Sequence, residues 1–116
     1  MQIFTETIAI IRARRIPGDY GGWVDDWDDP EVIPVDAPVS VQPVSTADAE
    51  DTPRRNAVTA THAMYSAPPH ILDELRDTDR IRVIGWPYDL DIEGRPMHWH
   101  TERLPHTEVD LKEHHG

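Results

Sequence analysis

The run Arg80-Ile81-Arg82-Val83-Ile84-Gly85-Trp86-Pro87-Tyr88-Asp89-Leu90-Asp91-Ile92 decides the fold of this 116-residue chain. Apolar and charged residues alternate on both sides of Gly85-Trp86-Pro87. That period of two is the signature of strands with one face buried, and the Gly/Pro break marks a turn between them. The pattern predicts an antiparallel hairpin. Ile81 and Val83, with Tyr88, Leu90 and Ile92, supply its buried face, while Arg82, Asp89 and Asp91 face water. Gly94-Arg95-Pro96 is expected to close the unit.

Similar short strands extend to either side. Ile3 to Arg14 is rich in β-favouring residues and free of Gly and Pro, with Ile8 and Ile10 on one face and Arg12 and Arg14 following them there. Pro17-Gly18 breaks it. Val39-Ser40-Val41-Gln42 alternates between Pro38 and Pro43, which marks an edge strand. Ala57 to Ser66 reads as a strand that ends at Pro68-Pro69. Ile71-Leu72-Asp73-Glu74-Leu75 fits one helical turn or a tight loop, and Glu108-Val109-Asp110-Leu111 alternates into a last strand. The fold class expected is all-β: a small β-barrel of about six to seven short antiparallel strands, with a long acidic Pro-rich loop and at most one short helix. Residues 1–116 form a single domain, with the barrel core at about 3–15, 38–44 and 57–112 and the acidic loop at about 16–37.

Charge is distributed unevenly. Ile16 to Pro53 holds ten acidic residues and no Lys or Arg, so the formal charge of −11 is mostly the property of one segment. That segment also contains Trp23, Trp27 and six prolines, a composition that neither forms a helix nor fills a core. It reads as an interaction loop or a surface arm. Trp23 and Trp27 amid carboxylates either anchor a partner or tuck back onto their own barrel. Arg12, Arg14 and Arg15, with Arg54 and Arg55, form two basic clusters suited to pairing with Asp25, Asp26, Asp28 and Asp29, within one chain or between copies. So acidic a chain should repel DNA and membrane phosphates.

The remaining signals exclude more than they assign. There is no cysteine, hence no disulfide and no Cys-based zinc site. The N-terminus lacks the pattern of a signal peptide, and no apolar run approaches the roughly 20 residues that span a bilayer. A soluble protein is expected. His98-x-His100 on a strand places two rings about 7 Å apart, and His106 is the nearest third ligand, but no recognised metal motif accompanies them. Asp25-Asp26-Trp27-Asp28-Asp29 lacks the spacing of a calcium loop. No phosphate-binding glycine loop and no nucleophile elbow is present, so the chain is read as non-enzymatic, with no cofactor.

The second half, from Val58 to Leu111, resembles the head-to-tail stopper (head-closure or head-completion) proteins of long-tailed, siphovirus-type bacteriophages. The resemblance rests on residues in order. A strand ends at Tyr65-Ser66-Ala67-Pro68-Pro69 and a connector leads to Thr78-Asp79-Arg80-Ile81-Arg82-Val83. Gly85-Trp86-Pro87-Tyr88-Asp89-Leu90-Asp91 follows, then Gly94-Arg95-Pro96, Trp99, and Glu108-Val109-Asp110-Leu111. The approach to the last strand departs from the more apolar, Gly-rich family pattern at Met97-His98-Trp99-His100.

The resemblance implies a structural protein of the virion neck, a head-tail connector component without catalysis. Such proteins form homo-oligomeric rings of about six or twelve copies, below the portal and adaptor and above the tail terminator and tail tube. They close the DNA exit channel after packaging, and DNA passes through without sequence-specific binding. Localisation in the virion, with assembly in the host cytoplasm, follows from the same resemblance. Residues 16–38 or the loop 45–55 would then be the loop that reaches the channel, and the acidic arm is expected to order only in the assembled ring. An acidic lining would keep DNA from sticking. Two rival readings stand beside this one: an acidic β-barrel inhibitor or adaptor that binds a basic nucleic-acid-binding protein, and a single-strand-binding barrel.

Overall fold

The structure is a computed structural model, and it describes residues 3–44 and 60–113. Seven strands form one antiparallel sheet: β1 (Ile8–Pro17), β2 (Trp23–Pro34), β3 (Val39–Pro43), β4 (His62–Ser66), β5 (Arg80–Val83), β6 (Asp89–Trp99) and β7 (His106–Glu113). Their order across the sheet is β2-β1-β5-β6-β7-β4-β3. The sheet rolls without full closure. Glu6, just before β1, exchanges two backbone bonds of 3.0 Å with Val39 of β3, which draws the two ends of the roll together. The architecture is the all-β, barrel-like one that the alternation predicts, and no described residue is helical.

The deciding hairpin forms between β5 and β6. Arg80 faces Asp91, Ile81 faces Leu90 and Arg82 faces Asp89. Ile81, Val83 and Leu90 are fully buried, and Tyr88 and Ile92 pack at the margin of the core. On the outer face Arg82 bonds Asp89 at 2.9 Å and Arg80 bonds Asp91 at 3.1 Å. Such opposed charges on directly facing positions of a ladder fix its register as well as its stability. Gly85 takes the left-handed conformation, φ 96°, that the turn requires.

The core gathers the inward positions of every strand of the roll. Ile8, Ile10, Val39, Met64, Val109 and Leu111 join the hairpin, and Val35, Ala37, Leu72 and Leu75 cover the ends. The connector 67–79 forms successive turns rather than a helix. Its Leu75 N–H bonds the Leu72 carbonyl at 3.1 Å, and Asp79 N–H bonds the Arg76 carbonyl at the same distance. Buried side chains dock this connector on the barrel. Thr107 Oγ1 accepts the Leu72 N–H at 2.8 Å. Ser66 Oγ accepts the Thr107 N–H at 2.8 Å and donates to the His70 carbonyl at 2.6 Å.

Three expectations require correction. Gly94-Arg95-Pro96 does not end its hairpin. β6 runs on through an irregularity there, between Glu93 and Met97, to Trp99. More consequentially, the acidic segment is not a long loop. Residues 23–34 form β2, paired with β1 from Pro17↔Trp23 to Ala9↔Pro34. It is therefore ordered within a single chain, where order only in the assembled ring was expected. β2 is a terminal strand, so Pro30 and Pro34 need donate no ladder bond on its open side. Its acidic residues stand opposite arginines rather than one another: Glu31 opposite Arg12, Asp26 opposite Arg14, Asp25 opposite Arg15. A strand condemned by composition is thus restored by its partner. The segment 45–55, the other proposed channel loop, lies outside the described residues, as does the start of the strand expected from Ala57.

Candidate functional site

β1 leaves the barrel after Ile11. Ile8 to Ile11 are buried and pair with β5 on one side and β2 on the other, whereas Arg14 to Pro17 are exposed and pair with β2 alone. The result is a two-stranded arm that projects from the barrel, turning over at Gly18–Gly22. Gly21 and Gly22, at φ 86° and 70°, make that turn, and Gly18 N–H bonds the Gly22 carbonyl at 3.1 Å.

The base of the arm is fixed by charge. The Arg12 guanidinium meets the Asp79 carboxylate through two bonds of 2.9 Å and reaches the Glu74 carbonyl with a third. Asp79 is only 2% exposed, and its second oxygen also accepts the Arg76 N–H. Hydrogen bonding to Asp79 raises the Arg12 pKa above its usual range, against the opposing effect of burial. The second fixing point is Trp27. Between Arg12 and Arg14 the register slips, so that Trp27 to Pro30 bulge out opposite Ala13 alone. Within the bulge Asp28 N–H bonds Asp26 Oδ1, and Arg14 donates to the Asp29 carbonyl at 2.8 Å. The bulge swings Trp27 down over Arg80, whose guanidinium carbon lies 3.7 Å from the ring centre. Arg80 is held in turn by Asp91.

These contacts divide the candidate interface residues. Arg12 and Trp27 are engaged with their own barrel. Arg14 with Asp29 (3.8 Å) and Arg15 with Asp25 (3.7 Å) form loose, solvent-exposed pairs along the shaft. Asp26 and Asp28 belong to the bulge. Trp23 remains: it is 63% exposed and faces Pro17 across the arm. Tyr20 at the turn is fully exposed, and Ile16 and Val24, opposite each other, are exposed as well. The end of the arm is therefore an apolar, aromatic tip flanked by Asp19 and Asp25. Arg54 and Arg55 lie outside the described residues.

A second feature escaped the sequence. Outside the roll, beside β3 and the β6–β7 turn, lies an apolar cleft of about 470 Å³. Phe4, Tyr65, Pro68 and Leu104 wall it, and Ser40, Gln42 and His106 contribute polar groups. Ser40 and Gln42 are the outward positions of β3, a signal present in its alternation; the contributions of Phe4 and Leu104 come from distant segments. A smaller, polar cleft of about 190 Å³ between Arg12, Arg15, Asp25 and Arg76 sits at the base of the arm.

The histidines do not converge. His98 and His100 have ring centres 6.5 Å apart, but His98 Nδ1 shares a hydrogen bond with Thr107 Oγ1 and His100 pairs with Asp73. His106 stacks on Trp99, with planes 18° apart. Among the described residues no group of three or more His, Asp or Glu is arranged to hold a metal ion. Both His106 nitrogens face acceptors, the Leu104 carbonyl at 2.6 Å and Glu108 Oε1 at 3.1 Å. Burial disfavours the charged ring, but these two acceptors outweigh it and raise the His106 pKa above its ordinary 6.5. No described helix is long and apolar enough to cross a membrane.

No family model matches the chain, and no curated protein matches it. Among solved structures it is similar to the solution structure of protein SF1141 from Shigella flexneri 2a. The TM-score is 0.64 at 20% sequence identity, over 97% of this chain and 96% of the other. At that identity the likeness concerns the fold alone, over nearly the whole of both chains.

Proposed function

We propose that this chain is a non-enzymatic structural protein of a bacteriophage neck, a head-to-tail stopper that assembles into a ring between the adaptor and the tail. The observation that carries the reading is the arm: a charged two-stranded shaft, fixed at its base, that presents exposed aromatics well away from the barrel. A protein that works alone has no use for an exposed apolar cluster on a rigid projection, whereas a subunit of an assembly does. The order of elements from Tyr65 to Leu111, a barrel hairpin flanked by a Pro-Pro connector and a closing strand, agrees with the resemblance in that half of the chain. Six acidic residues against three arginines between Arg12 and Glu31 leave the shaft a net negative charge, which disfavours adhesion of DNA.

The inhibitor reading is less well served. Mimicry of a phosphate backbone needs carboxylates free to face a basic partner, and here Asp25, Asp26 and Glu31 stand opposite Arg15, Arg14 and Arg12 across the ladder. Electron microscopy of lysates from a phage in which this gene is interrupted tests the proposal. DNA-free heads without tails, beside complete unattached tails, are the expected outcome. Intact tailed particles would overturn it and bring an acidic inhibitor forward, to be sought as a monomer or dimer bound to a nucleic-acid-binding protein.

A further inference from the structure

The arm presents an apolar tip that no described residue of its own chain covers, and the barrel presents an apolar cleft that no described residue fills. We infer that the two are halves of one contact: the Tyr20/Trp23 tip of one copy seats in the cleft beside Leu104 and Tyr65 of the next, so that the chain associates head to tail with itself. This goes beyond the neck assignment, because it identifies the surfaces through which copies meet whatever the assembly is for.

Four observations point to a second copy as the occupant. First, the tip cannot serve its own cleft. Arg12–Asp79 and Trp27–Arg80 tie the arm to the β5 side of the barrel, while the cleft lies beside β3, β4 and the β6–β7 turn. Second, the sizes agree. A cleft of about 470 Å³ falls within the range of sites that bury small apolar groups, roughly 300–1,000 Å³, and aromatic side chains such as those of Tyr20 and Trp23 are the common anchors of such seats. Third, the polar details agree. Gln42, an outward position of β3, borders the cleft, and its side-chain amide can take up the indole N–H or the phenol O–H, the polar handles that buried Trp and Tyr need. Fourth, the charges agree: exposed Asp19 flanks the tip, and exposed Arg103 is the chain neighbour of Leu104 at the cleft. A tip and a seat on different faces of the same molecule make a heterologous contact, which repeats from copy to copy and closes when the rotation between neighbours divides a full turn.

The test uses the full chain and two variants on exposed positions. Trp23→Ser removes the tip anchor and Leu104→Asp spoils the seat; matching circular dichroism and melting curves would certify that both are folded. Sedimentation of the unmodified chain at rising concentration should show self-association, and each variant should weaken it roughly tenfold or more. The two variants mixed should form a one-to-one dimer and nothing larger, because the mixture contains one intact tip and one intact seat per pair. A photo-crosslinking residue at position 23 should then capture peptides that contain Tyr65 or Leu104 of another copy. A chain that stays monomeric at every concentration, variants whose mixing restores nothing, or crosslinks to any other surface would each overturn the inference. A purely isologous dimer would do so too. None of these outcomes depends on the phage experiment: tailless particles with a failed mixing test would leave the neck role standing and this contact refuted.

Discussion

Arg12 and Asp79, 67 residues apart in the chain, meet through two parallel bonds of 2.9 Å at the point where β1 leaves the barrel. The carboxylate has almost no contact with solvent, so its charge depends on that guanidinium and on the Arg76 N–H. Removing one member strands a buried charge. Arg12→Ala is expected to destabilise the fold by about 3–5 kcal/mol, while replacement of both residues by apolar ones of similar volume should restore much of the loss. Urea unfolding of the two variants measures both. A single-variant loss below about 1 kcal/mol would show that the pair is not a structural anchor.

The pairs along the shaft should behave oppositely. Arg15 and Asp25 are half exposed or more and 3.7 Å apart, and exposed ion pairs contribute at most about 1 kcal/mol. Arg15→Ala should leave the melting temperature within a few degrees of the original, and added salt should change it little. A large loss at Arg15 would mean that the shaft, not its base, carries the stability of the arm.

Trp27→Ala removes the cation–π contact with Arg80, worth about 0.5–2 kcal/mol. Its effect should be local. Amide exchange should accelerate in β2 and in β1 beyond Arg12, while the amides of Ile81 and Leu90 keep their protection. Uniform acceleration throughout the barrel would contradict the view that Trp27 only orients the arm.

Thr107→Val keeps the shape of a fully buried side chain and deletes the acceptor for the Leu72 N–H. An orphaned buried donor costs about 1–3 kcal/mol. Thermal melting should record that loss, and Thr107→Ser should recover most of it.

Because the folded-state pKa of His106 lies above the unfolded value of about 6.5, its stabilising contribution is fully present below that pH. It is lost as the pH rises through the raised folded value. A proton NMR titration of His106 should therefore give a midpoint above that of an ordinary histidine. Glu108→Gln should bring it down, and the turn between β6 and β7 should loosen on the alkaline side. A midpoint at or below 6.5 would show that burial, not the two acceptors, governs the ring.

Much of the barrel was legible because its strands obey one rule each. Ile81, Val83 and Leu90 alternate with charges, and Val109 and Leu111 do the same, so their inward faces follow from the strand period alone. β2 was not legible, since in Trp23 to Pro34 the β-favouring Trp, Val and Ile show no apolar alternation and are outnumbered by acids and prolines. It is a strand because of what lies across from it. The three arginines of β1, a Pro-Gly turn and then acids were the available signal, one that reads as a charge-matched hairpin only when the two halves are considered together. The choice between anchor and self-contact for the two tryptophans was likewise a matter of register. A bulge of Trp27 to Pro30 opposite one alanine turns one indole inward, while regular pairing at Pro17 leaves the other outside. The cleft draws on Phe4, Tyr65 and Leu104, three segments that no local pattern connects.

The bulge also has a geometric consequence. With Trp27 clamped on Arg80, the arm has one direction relative to the barrel instead of a range. In any assembly joined through the arm, the angle between neighbouring copies is then written into the residues opposite Ala13, and curvature becomes an inherited property of the monomer. Adding or deleting a residue between Trp27 and Pro30 would leave the adhesive surfaces intact and change how many copies complete a turn.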